Sequence, residues 1–220
     1  MGMGDDIKSV FVENGVAYTI VRDSGNISGE YLDYEPNSQV TKPFIREHFL
    51  EVDFAYDTVT VGGDIIRFDV SGESDSDKDH YLIVHHSKAI FENEVTDIEG
   101  VLYKTNIFGT FLRPSGELAT SSYRTITNWT THKTDVRGIL TDKLYGTFLD
   151  DESQLVAQVD IKSLLLYVPS SIEPMVHDRF FISGENLTAL SGSEYYAVKY
   201  LEVHSHKGVT KVYLEEDTRE

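Results

Sequence analysis

One order of residues occurs twice in this chain, and that constrains its fold more than any single motif. Gly63-Asp64-Ile65-Ile66-Arg67-Phe68 runs through Ser71-Gly72-Glu73 and a polar gap to Tyr81-Leu82-Ile83-Val84. The first copy closes on Gly100-Val101-Leu102-Tyr103-Lys104. Later, His177-Asp178-Arg179-Phe180-Phe181 runs through Ser183-Gly184-Glu185 and a second polar gap to Tyr195-Tyr196-Ala197-Val198. That copy closes on Gly208-Val209-Thr210-Lys211-Val212-Tyr213-Leu214. Both copies are strand-like, with short apolar runs, many Tyr and Phe, and turn residues between them. The sequence therefore predicts an all-β chain of two tandem small barrel or sandwich modules with long loops, divided as residues 1–112 and 113–220.

The predicted strands of the first module are Phe49–Tyr56, Thr58–Val61, Ile65–Val70, Tyr81–His86 and Val101–Thr105. Those of the second are Tyr123–Trp129, Gln154–Val159, Ser163–Val168, Arg179–Ile182, Tyr195–Val203 and Val209–Glu215. Leu164-Leu165-Leu166-Tyr167-Val168 is too apolar to face water and reads as a core strand. Near the start, Asn14-Gly15 between Ser9–Val12 and Val16–Val21 predicts a β-hairpin with a type I′ turn. Residues 26–41 read as loop or short edge strand, and Lys42–Phe49 as room for one helical turn beginning at Pro43. Asn106–Ala119, with Gly109, Pro114 and Gly116, reads as a linker whose apolar residues hint at docking.

Charge narrows the class of partner. The chain holds 37 acids against 19 bases, for a net charge of −18. Residues 1–112 carry 21 acids and 8 bases, and residues 113–220 carry 16 and 11, so the surplus concentrates in the first half. Gripping DNA without regard to sequence needs Lys and Arg on phosphates, which this balance opposes. Cysteine is absent, so disulfides and cysteine zinc sites are excluded. No apolar run is long enough to span a membrane as a helix and no leader pattern opens the chain, so a soluble intracellular product with no membrane partner is expected. On that expectation the sequons at Asn26, Asn128 and Asn186 carry no weight.

His204 and His206 share a face of an extended segment, a spacing metal sites use, but only guesswork would add His177 or Glu202 to them. His85 and His86 are adjacent and would point to opposite faces of a strand. Asp75, Asp77 and Asp79 begin like a calcium loop, yet His80 stands where Gly is needed and His86 where Glu is needed. Among so many acids no spacing singles out a catalytic pair. Phosphate-loop, nucleophile-elbow and zinc-protease motifs are missing. The expectation is a non-enzyme, with no catalytic, cofactor-binding or metal residue assigned.

The second copy, from the apolar strand through His177-Asp178-Arg179-Phe180-Phe181-Ile182, Gly184-Glu185 and Tyr195-Tyr196-Ala197-Val198 to Lys207–Glu215, resembles the small β-barrel neck proteins of tailed bacteriophages. These are head-closure (stopper) and head–tail joining proteins. The resemblance covers residues 158–216 best and 52–105 more weakly, and it departs from the family in carrying two modules. It implies a virion component made in the host cytoplasm. Such a component forms a self-associating ring between portal or adaptor and tail proteins, with DNA crossing the lumen unbound. Paired modules would let six chains present twelve equivalent units, and sheet edges would offer surfaces for side-by-side assembly. Gly72–His80 and Glu185–Glu194 are candidates for inter-ring contact or for a plug that orders on assembly, with inert hairpin tips as the alternative. A tail or baseplate protein, a carbohydrate-binding module using Trp129 and the tyrosines, and a metal-dependent barrel enzyme at His204 and His206 remain alternatives.

Overall fold

The computed structural model describes residues 2–36, 49–74, 78–119, 125–141, 164–183 and 195–217. One helix, α1 (Met3–Asn14), precedes twelve strands among these residues. The first six are β1 (Val16–Val21), β2 (Ile27–Pro36), β3 (Phe49–Ala55), β4 (Ile65–Phe68), β5 (His80–Phe91) and β6 (Glu94–Lys104). They close into an antiparallel barrel in the order β1-β2-β3-β6-β5-β4. The rest are β7 (Ile107–Ala119), β8 (Thr125–Thr141), β9 (Leu164–Pro169), β10 (Arg179–Ser183), β11 (Tyr195–His206) and β12 (Val209–Glu216). These close in the order β7-β8-β9-β12-β11-β10. Each strand of the second barrel takes the place of the strand six earlier in the first. The duplication read from the sequence is therefore a duplication of fold.

Each barrel has its own core. In β3 the period-two alternation buries Leu50, Val52 and Phe54 and turns Glu51 and Asp53 outward. With Tyr18, Ile20, Leu32, Ile66, Ile83 and Leu102 they fill the first interior. Phe111, Phe180, Leu166, Val168, Val198, Val212 and Leu214 fill the second. Strand register places Tyr18 opposite Phe68 and Gly109 opposite Ile182, so Tyr18 and Gly109 hold equivalent positions. The first barrel packs the Tyr18 ring edge-on against Phe54 at 5.5 Å. The second leaves Gly109 without a side chain and fills the room with Phe180, which lies 4.7 Å from Phe111. A Cβ on Gly109 would fall 2.5 Å from the Phe180 ring, so the two cores reach close packing by different partitions of volume.

One polar device is built twice. The Asp64 carboxylate accepts from Arg22 through Nε and a terminal nitrogen, and also from the Val61 backbone N–H. The second Arg22 nitrogen also donates to the Val59 carbonyl. In the second barrel Asp178 accepts from Arg113 at 3.0 and 2.9 Å and from the Met175 N–H, while Arg113 donates to the Glu173 carbonyl. The backbones agree as well: Gly63 and His177 both have positive φ, of 89° and 76°. Gly63 N–H donates to Ile83 and His177 N–H to Val198. A fork of two charge-assisted bonds to a nearly buried carboxylate pins the loop before β4 and before β10. Glycine adopts this φ freely, whereas the histidine adopts it at a steric cost.

Several expectations are corrected. Asn14-Gly15 is the end of α1 and not a hairpin turn: Gly15 has an extended φ of −79° and its N–H closes a helical bond to Phe11. Gly4 and Phe11 are both buried, and their spacing of seven puts them on one face of a helix where a strand would turn them to opposite faces. Of residues 26–41, expected to be a loop or edge, Ile27–Pro36 form β2, paired on both sides with β1 and β3, and 37–41 lie outside the described residues. The expected linker is β7, and the expected boundary between 112 and 113 falls inside it. The compact units are Met1–Thr105 with His206–Val209, and Asn106–Ser205 with Thr210–Glu220. Thr58–Val61 is loop, held by the Asp64 clasp. The repeat register also shifts: Tyr81 faces Ile66 and Tyr196 faces Phe180, so Tyr81 corresponds to Tyr196 and not to Tyr195. Gly100 lies within β6 whereas Gly208 sits at the β11–β12 turn, so that glycine match is not structural. The Lys42–Phe49 turn, apart from Phe49 at the head of β3, and the Gln154–Val159 strand lie outside the described residues.

Candidate functional site

The most distinctive surface of the described residues is an acidic groove on the outside of the first barrel. Strand register builds it from acids that are far apart in sequence. Asp33 of β2 stands opposite Asp53 of β3, which stands opposite Glu99 of β6. One step along, Glu35 stands opposite Glu51, which faces Val101, and Val101 faces His85 of β5. These residues line a groove of about 420 Å3. Like charges set directly across strands repel one another, so this face is retained against a cost in stability. Asp53 sits at the centre, and its carboxyl is pushed up to about 6 by burial in the groove, with Asp97, Glu99, Asp33 and Glu35 adding repulsion. The residue as a whole is exposed, so water screens part of that effect and the cross-strand pairing is its firmer cause.

His86 is half-buried, 3.3 Å from the Thr60 hydroxyl, with burial pulling its pKa down, while His85 is exposed at the groove. His204 and His206 lie in β11, and the described residues hold no group of three or more His, Asp or Glu arranged for a metal ion. Asp75 and Asp77 lie outside the described residues, and Asp79 is paired with Lys104 at 2.6 Å. Trp129 has the Arg179 guanidinium over its ring at 4.1 Å, and that guanidinium also donates to Asp217 at 2.6 Å. Trp129 thus packs in the second barrel beside a buried ion pair. Tyr200, exposed, leans on Tyr213 at 5.4 Å.

The groove was missed by sequence reasoning because its acids come from three strands and share no spacing. Period-two alternation in Leu50-Glu51-Val52-Asp53-Phe54 is the local signal that could have flagged its middle strand. The arrangement can repel polyanions and attract cations; it offers no nucleophile with an adjacent base. No family model, curated protein or solved structure matches the chain.

Proposed function

We propose that this chain is a non-catalytic structural component of a tailed-phage neck, of the head-closure or head–tail joining kind. The observation that carries the reading is one closed barrel built twice, with the same strand order and the same Arg–Asp clasp. Repetition of a rigid module suits assembly, where equivalent surfaces must recur around an axis. Six chains then present twelve barrels. The acid surplus suits a wall that DNA passes without sticking, because it opposes phosphate contacts. Closed barrels have no free edge strand along their paired length, so the expectation of assembly through sheet edges gives way to contacts made by side chains and turns.

The test is mass photometry and negative-stain imaging of the purified protein, alone and mixed with connector-bearing capsids. Rings of six chains, or density at the capsid vertex, are the expected result. Rings of twelve chains would overturn the six-chain arrangement, and a persistent monomer that ignores capsids would overturn the neck role.

A further inference from the structure

We propose that the β2–β3–β6 face is a pH-responsive fastening of the first barrel, in which opposed carboxylates weaken strand pairing in neutral solution and proton uptake strengthens it. The geometry is a ladder of like charges: Asp33, Asp53 and Glu99 in one row, Glu35 and Glu51 in the next. Asp97 lies on β6 one pair further along, opposite Ala55. Among the residues lining the groove, His85 is the sole group able to carry positive charge, and it comes from β5. Beneath this face Leu32, Leu50, Val52, Phe54 and Leu102 are buried, so the strands cannot separate to relieve the charge without opening the core. Among the described residues, Arg22, Lys8 and Lys104 are engaged with Asp64, Asp57 and Asp79 respectively, and none of the three lines the groove.

The sign follows from the centre of the cluster. Asp53 titrates near 6 when folded, above the ordinary aspartate value of 3.8. A group whose folded pKa is raised binds its proton more tightly in the native state. Its contribution is complete below the ordinary value and is lost as pH rises through about 6. Between those limits the first barrel therefore tightens on acidification, the reverse of common acid lability. The proposal stands independently of the neck role.

Amide hydrogen exchange of the intact chain, corrected for intrinsic rates, tests it. From pH 7.5 to pH 5.5, protection at Asp33–Glu35 and Leu50–Asp53 should rise about two- to fourfold, because a group titrating near 6 is only partly protonated at pH 5.5 and water screens part of the effect. Asp53→Asn should be protected at pH 7.5 as the parent is at pH 5.5, with a flat profile, and His85→Gln should keep the parental profile. A flat parental profile, or an Asp53→Asn profile that matches the parent, would overturn the proposal, as would loss of the effect in His85→Gln. Carboxyl carbon titration in the unsubstituted chain gives a readout that does not depend on any variant folding. A midpoint near 6 for Asp53 is expected, and one at the ordinary aspartate value would sink the idea.

Discussion

Asp64 and Asp178 are the residues on which the two loops hang. Each carboxylate is almost wholly buried and each meets an arginine fork and a backbone N–H. Removing the charge strands a partly buried guanidinium and frees the loop. Asp64→Asn and Asp178→Asn should each cost about 2–4 kcal/mol, read as a lower urea midpoint. Neither aspartate was distinguishable from its many acidic neighbours by spacing. What did mark both was their place in the repeated order, Gly63-Asp64 and His177-Asp178, each followed by an apolar strand. Their arginine partners come from β1 and β7, the first strand of each barrel or the turn after it, and no local pattern announces such distant pairing.

At the scale of elements, strands with clean alternation or an apolar run were legible, as β3 and β9 show, because one face or both must meet a core. Errors fell where local and tertiary demands differ. Asn14-Gly15 carries a strong turn signal, yet Gly4 and Phe11 fit a helical stripe that docks on the barrel, and Tyr56 reinforces it by donating to Asp5 at 2.8 Å. Packing decided the outcome. Phe11→Ala should therefore destabilise the first barrel by about 2–4 kcal/mol, whereas Val10→Ala, on the exposed side, should stay within about 0.5 kcal/mol. That ranking alone would also suit a strand, so far-ultraviolet circular dichroism of a Gly15→Ala variant supplies the check on the helix. Its Cβ would meet the Phe11 carbonyl at 2.5 Å, so the helical signal should fall. Pro114 and Gly116 give β7 the local composition of a linker. Pro114 lies beyond Phe108–Leu112, the stretch that pairs with β10, so its missing N–H leaves no bond to that strand unmade.

For the whole molecule, two barrels with separate cores predict separable energetics. Asp64→Asn should lower the stability of the first barrel and Asp178→Asn that of the second. The double variant should equal their sum to within about 0.5 kcal/mol, as sites with no shared partner do. Differential hydrogen exchange resolves the two barrels, and a shared loss across both from either single change would contradict the prediction. The acidic groove belongs to this scale as well. Register alone gathers Asp33, Asp53 and Glu99, and register follows from the closed sheet rather than from any segment.

Tyr18 and Gly109 extend the matter from energy to inheritance. Where one half keeps a phenol the other keeps a bare backbone, and the missing bulk has moved to Phe180 on a different strand. Gly109→Tyr would drive a ring into Phe180, and Tyr18→Gly would empty the space against Phe54. The halves have thus ceased to be spare parts for one another. A change at either position is tied to a partner across its own barrel, Phe54 in one half and Phe180 in the other.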